Sequence, residues 1–244
     1  MDKGFSNLKC FVVMLLVLAV AFPALALSGP APKMNQATTQ VSEGLFKIDD
    51  FESGSLKSPR DWWTFDISKV EVVANDNYKG GDSKVAAETG KYSLHLQGQA
   101  KNWYVGGCGV YMAMENQDLS KYNTLDIDVF GNGEGSGTMK IELYDDDNAN
   151  WAIEQDAKRN YVPIYDDKLV YDIKIDWNGW KRLSIPLADF VDDNPGVGDD
   201  IWNPQQTGGS GGLLQMQLIC LGSTDKATVN LNVDNIVLTS GEKR

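Results

Sequence analysis

Carboxylates stand at both ends of the main body of this chain. Near its start runs Lys47-Ile48-Asp49-Asp50-Phe51-Glu52-Ser53, and near its finish Val233-Asp234-Asn235-Ile236-Val237-Leu238. Each is a short apolar strand with acids at its edge. Strands that open and close a domain often lie side by side in a sandwich, so Asp50, Glu52 and Asp234 could meet at one point. Oxygen ligands converging in that way suit a hard cation such as calcium. The same acids could equally serve to keep edge strands soluble, and the sequence leaves both readings open. A second acidic run, Asp145-Asp146-Asp147-Asn148, is a weaker candidate for the same cation chemistry, but it lacks the spaced ligands and glycine of an EF-hand loop and reads more readily as a solvated turn.

Other chemistry finds little material. His95 is the only histidine and lies mid-strand among leucines, where a half-exposed strand residue is expected. A multi-histidine zinc site is therefore excluded. No Gly-x-Ser-x-Gly elbow occurs, and the run Thr207 to Gly212 lacks the Gly-Lys-Ser/Thr ending of a phosphate cradle. Glycoside hydrolysis needs only two carboxylates, and this chain has many. They fall in turns or alternate along strand faces, as Asp126 and Asp128 do, which is the pattern of solvated rather than buried acids.

Flat rings and amides are the richer signal. The chain holds seven tryptophans and nine tyrosines. Trp62-Trp63, Trp103-Tyr104, Trp151 and Trp202 stand beside polar turn residues, where a ring can stack on the apolar face of a pyranose. Trp177 and Trp180 fit a core or turn-packing role better. Gln215 and Gln217 share one face of their strand, set either to reach sugar hydroxyls or simply to face solvent. Cys108 and Cys220 both sit among apolar residues, so a disulfide and two buried free thiols are both open.

The elements that must position these residues are strands. Period-two alternation recurs at Ser93 to Gln97, Thr124 to Val129, Met139 to Leu143 and Val229 to Asp234, with further strands at Leu169 to Ile175, Arg182 to Leu187 and Leu213 to Leu221. Gly, Asn and Asp clusters separate them, and no long segment has helical periodicity. Many short strands at fairly even spacing mean a sandwich or barrel. Ahead of them, residues 1–26 have the basic, apolar and small-residue order of a secretory signal peptide. Residues 27–43 form a polar leader rich in Pro, Ser, Thr and Gln, and 44–240 the domain. No later stretch is apolar enough to span a membrane. A net charge of −12 argues against nucleic acid and anionic lipid, which need basic patches.

Several landmarks together resemble a known family. Trp180-Lys181-Arg182-Leu183-Ser184-Ile185-Pro186-Leu187-Ala188-Asp189-Phe190 is similar to a W-K-x-x-x-I-P strand and its exit. Asp118-Leu119-Ser120-Lys121-Tyr122 before Leu125 to Val129 looks like a D-x-S-K turn before an alternating strand. With the two acidic ends, these stand in the order found in carbohydrate-binding module family 11, over roughly Leu45 to Ser240. W-K-x-x-x-I-P and V-D-N-I also occur in other galactose-binding-like jelly rolls, including the complex I intermediate-associated family. The resemblance implies an all-β jelly-roll sandwich of two antiparallel sheets, a structural calcium at its edge, and a β-glucan along a concave outer face. It adds the loop Thr89-Gly90-Lys91-Tyr92 to the metal shell, through a backbone carbonyl near Lys91. It also matches Trp103 and Tyr104 to an aromatic of the family's binding face, and residue type and strand face add Trp151, Trp202, Gln215 and Gln217 as candidates for the sugar. Two departures stand out. The strand Leu213 to Leu221 brings no aromatic, and the loop after Pro186 is acidic rather than basic. The expectation is an exported, non-catalytic polysaccharide-binding protein, secreted, periplasmic or at the cell surface. A protein-interaction module of the same fold and a glycan-active enzyme are the alternatives.

Overall fold

The computed structural model describes residues 44–114, 117–159 and 161–241. The expected signal peptide and leader lie outside the described residues. The strands are β1 (Leu45–Asp49), β2 (Trp62–Phe65), β3 (Lys69–Ala74), β4 (Tyr92–Gln99), β5 (Tyr104–Tyr111), β6 (Thr124–Asn132), β7 (Thr138–Asp145), β8 (Gln155–Asp156), β9 (Val162–Pro163), β10 (Lys168–Lys174), β11 (Asn178–Pro186), β12 (Val191–Asp192), β13 (Leu213–Leu221) and β14 (Thr228–Thr239). One sheet has the order β11-β6-β14-β4-β3, with β1 also on β14. The other has the order β12-β10-β7-β13-β5-β2. The pairings in both are antiparallel, as expected for a β-sandwich.

The alternation read from the sequence sets the core. Leu94, Leu96, Leu125, Ile127, Val129, Leu231 and Val233 point inward from the first sheet. Val110, Met139, Ile141, Leu143, Met216 and Leu218 meet them from the second. Cys108 and Cys220 are buried in this core as free thiols. Burial pushes the Cys108 thiol well above its ordinary range, so both behave as small apolar groups.

The outer face of the first sheet departs from expectation. A six-residue helix, α1 (Ser83–Glu88), lies against it, capped by the Asp82 carboxylate, which accepts from the amides of Lys84 and Val85. Trp180 and Phe130 pack there edge to face, 5.4 Å between centroids, with Val85 and Tyr78. Two acids on this face, expected to be solvated, are buried. Asp128 is fully buried and Asp126 is 5% exposed. Asp128 is held by Arg182 opposite it and by the Asn235 amide. His95, expected half-exposed, is also buried, its Nε2 2.9 Å from Asn230 Oδ1. Among the described residues, no helix is long and apolar enough to cross a membrane.

Candidate functional site

Among the described residues no helix covers the outer face of the second sheet, and strand register fixes which residues share it. One row crosses all six strands: Trp63, Gly109, Gln217, Glu142, Val170 and Val191. A second row beside it runs Tyr111, Gln215, Tyr144 and Lys168. A third runs Phe65, Gly107, Ile219, Lys140 and Asp172.

Gly109 is the hinge of this surface. A β-carbon there would lie 2.5 Å from Trp63 Cζ2 and 3.1 Å from Gln217 Cγ. The Trp63 ring therefore lies directly over the glycine backbone, close beside the Gln217 side chain. Trp62 and Trp63 split by strand alternation. Trp62 turns into the core, its Nε1 2.8 Å from Asp49 Oδ2, while Trp63 turns out and stays half-buried. Tyr104, 39% exposed, shares the outer face and donates to Asp66 Oδ2 at 3.1 Å.

The polar groups of the face are mutually fixed. The Tyr144 hydroxyl donates to Glu142 Oε2 at 2.6 Å. Lys168 Nζ stands 3.9 Å from Glu142 Oε1 and 2.6 Å from Asp193 Oδ2. Burial, reinforced by the Glu142 charge, holds the Tyr144 phenol far above its ordinary range, so it stays a donor. Burial together with the Asp146 charge pushes Tyr111 up to about 12. The Tyr111 hydroxyl donates to the Trp151 carbonyl at 2.8 Å, so the face continues into the Trp151 loop.

The expected ligand-binding residues are only partly brought together. Tyr104, Gln215 and Gln217 share the face, and Trp151 joins its rim. Trp103 is 57% exposed in the β4–β5 turn. Trp202 is half-buried and packs against the core instead. Sequence reasoning named the Trp62-Trp63 pair without choosing between its members, and it missed Tyr111, Glu142, Tyr144 and Lys168. The adjacent Trp62-Trp63 pair was the available signal, since neighbouring strand residues face opposite ways.

At the other proposed site, β1 and β14 do pair, with Lys47 opposite Val237 and Asp49 opposite Ile236. Asp234 is buried and its Oδ2 has no partner. Burial, then the charges of Asp128, Glu52 and Asp50, push its carboxyl up to about 9. Glu52 Oε1 accepts from the amides of Lys91 and Tyr92 at 2.7 and 2.9 Å. Lys91 thus turns its N–H, not its carbonyl, toward the acids. That carbonyl accepts from the Asn75 amide at 2.8 Å. Asp50 pairs with Lys47 at 2.5 Å.

The Asp145-Asp146-Asp147 run is not a solvated turn. Asp145 is fully buried and Asp146 is 1% exposed. Asp146 accepts from the amides of Asn150, Trp151 and Gly211, binding two loops into one body.

A two-sheet sandwich with aromatic rings, amides and a carboxylate along one outer sheet face has the form of a carbohydrate-binding module. The family model for carbohydrate binding domain 30 matches residues 48–240, and the chain belongs to that family. The family is defined by carbohydrate binding, not by catalysis. The likeness read from the sequence holds at the level of the carbohydrate-binding module, while the matched family is 30 and the signatures had pointed to 11. Among solved structures, the chain is similar to the family 11 module of a cellulosomal cellulase of Clostridium thermocellum. That match has 17% identity and a TM-score of 0.46, and covers 84% of this chain and 99% of that one. The family 30 module of another cellulosomal cellulase of the same organism matches at 17% identity and a TM-score of 0.43, covering 76% and 95%. A xylan-binding domain from Paenibacillus barcinonensis matches at 15% identity and a TM-score of 0.42, covering 78% and 97%. No curated protein matches the chain.

Proposed function

We propose that the chain is an exported, non-catalytic protein that binds a β-glucan-like polysaccharide along the outer face of the β12-β10-β7-β13-β5-β2 sheet. The observation that carries this reading is the Trp63 ring laid over Gly109 beside Gln217. A pyranose offers an apolar face for such a ring and hydroxyls at its rim for amide and carboxylate partners. Gln217, Gln215 and Glu142 stand along the rows where those hydroxyls would fall. Tyr104 and Trp151 extend the platform at its edges. Affinity electrophoresis against a panel of β-glucans, xylans and mannans tests it. The wild type is expected to be retarded by β-glucan. Trp63→Ala should weaken binding about fivefold, the effect of losing one stacked ring worth on the order of 1 kcal/mol. No retardation by any polysaccharide, or full retardation of the variant, rejects the platform.

The family resemblance also implies a structural calcium, and the residues present fit one. Asp234 offers a buried oxygen without a partner, close enough to Glu52 and Asp50 for their charges to act on it. A cation held by these three would supply the positive charge that lets all of them ionise together. Glu52 already ties the opening strand to the Lys91 turn, and Asp234 belongs to the closing strand. The ion would therefore fasten the two ends of the domain. Calcium at ten times its dissociation constant is expected to stabilise the wild type by about 1.4 kcal/mol at this site. Asp234→Asn should show a correspondingly smaller rise in melting temperature between chelator and calcium. An identical rise in variant and wild type eliminates the site.

A further inference from the structure

A second group of carboxylates lies apart from the Asp234 group, where the sandwich core ends between β7 and β10. The register of these strands pairs Ile141 with Tyr171 and Leu143 with Leu169. Carried one inward-facing step further, it brings Asp145 beside Asp167. Asp147, two residues on, completes the set. Asp145 is fully buried and Asp167 is 1% exposed.

Each carboxylate is divided in the same way. Asp145 Oδ2 accepts from the Asn203 amide at 2.7 Å. Asp167 Oδ2 accepts from the Ile201 amide at 2.9 Å. Asp147 Oδ2 accepts from the Asp167 amide at 3.0 Å. The three Oδ1 atoms are buried and have no partner. One oxygen from each residue lies within 4.8 Å of the others. One half of each carboxylate therefore fastens a loop, and the other half is an acceptor without a donor.

The loop that closes over this group is built to come close. Gly198 has φ +76°, and a β-carbon there would collide with Asp167 Oδ1 and Asp147 Oδ2. Only glycine both takes that backbone conformation readily and lets the chain pass against the carboxylates. Burial and mutual repulsion press on the acids. Burial first, then the Asp147 and Asp167 charges, pushes Asp145 up to about 8. Burial with neighbouring charges likewise raises Asp147 and Asp167 to about 6.

We propose that Asp145, Asp147 and Asp167 form a binding site for a divalent calcium-class cation, separate from the Asp234 group. The donors are all oxygens and are hard, as calcium requires, and carbonyls of the Gly198 loop or water can fill the remaining positions. The ion would join the end of β7, the start of β10 and the segment that carries Ile201, Trp202 and Asn203. Asp146 ties the adjoining Trp151 loop to the same corner. The cation would thus set the shape of one rim of the polysaccharide face, although the site stands whether or not that face binds glucan.

The test counts calcium and follows melting in the purified protein. Wild type, Asp147→Asn, Asp167→Asn and Asp234→Asn are equilibrated with calcium, and bound metal is measured by atomic emission. Asp147→Asn and Asp167→Asn are each expected to lose one calcium per chain relative to wild type. Combining either with Asp234→Asn should leave that loss intact. Terbium luminescence excited through tryptophan should fall in the same two variants, since Trp202 adjoins the site. In chelator, Asp147→Asn should melt at or above wild type, because one of three like charges is gone. In calcium it should melt below. A merely structural hydrogen-bond cluster gives no such crossing. If Asp167→Asn does not fold, Asp147→Asn, at the more open corner, carries the test. Equal calcium content in wild type and Asp147→Asn, or the same melting order with and without calcium, overturns the proposal.

Discussion

Replacing Arg182 by methionine should destabilise the domain by about 3 kcal/mol, the low end for breaking a buried ion pair. Arg182 Nε and Nη2 each donate to Asp128 at 2.7 Å, a bidentate pair across β11 and β6. Its Nη1 reaches Glu88 Oε2 at 2.7 Å and so pins α1 to the sheet. The Asp128 side chain is fully buried and that of Arg182 is 17% exposed, so loss of the cation leaves a charge with little water to replace it. The Asn235 amide, 2.9 Å from Asp128 Oδ2, would remain as its sole side-chain donor. Methionine keeps most of the volume and apolar contact, so the cost comes from the orphaned carboxylate. Adding Asp128→Asn to Arg182→Met should therefore recover more than half of the loss. Glu88→Gln, at a side chain 42% exposed, should cost under about 1 kcal/mol. Urea unfolding with an unchanged slope would measure all three. Arg182→Met within 1 kcal/mol of wild type, or no recovery in the double variant, would show that the pair does not carry this weight.

The same residues show how far the sequence can be read. The strands were legible because leucines and isoleucines alternate with polar residues, and Leu213–Leu221 forms over the predicted residues. The pairing of the two ends was legible from their acidic signatures. What alternation cannot show is what covers the polar side. Asp128 looks like a solvated residue until Arg182 and a six-residue helix close over it, and Ser83–Glu88 is too short to display a helical period. The acidic turn at Asp145 was misread for a related reason. Its partners Asp167 and Asn203 are distant in sequence, and only strand register brings them near. On the outer face of the second sheet, Gln215 and Gln217 fall together as strand parity predicted, while Tyr104 was named from its turn neighbours and the resemblance. Trp62 and Trp63 were named together, because the choice between them depends on the phase of β2. Trp202 was assigned to the sugar from its polar neighbours, yet it packs on the core because the loop around it is tied down by buried carboxylates.

Gly109→Val should reduce β-glucan binding by roughly 30-fold while leaving the fold intact. The glycine stands in mid-strand, where its lack of a side chain costs strand stability. Its position is explained by what sits above it. A β-carbon would fall 2.5 Å from the Trp63 ring and 3.1 Å from Gln217. Valine must therefore lift the ring off the sheet and push the amide aside together. Trp63 is half-buried and Gln217 is 9% exposed, so the ring can swing outward more freely than core side chains could. The binding loss combines one stacked ring and one hydrogen bond, about 2 kcal/mol in all. Against this, valine has the higher strand propensity, which offsets part of the steric cost to folding. Binding should thus fall far more than melting temperature. Gly109→Ala should lie between wild type and valine, since it meets the same atoms without the γ-carbons. Combining Gly109→Val with Trp63→Ala should cost less than the sum of the two, because both remove the same stacking contact. Titration of each variant with the retarding glucan, beside its thermal melt, gives the comparison. Unchanged affinity in Gly109→Val would place the sugar elsewhere on the molecule. Affinity lost only in step with stability would mean that the glycine serves the fold and not the ligand.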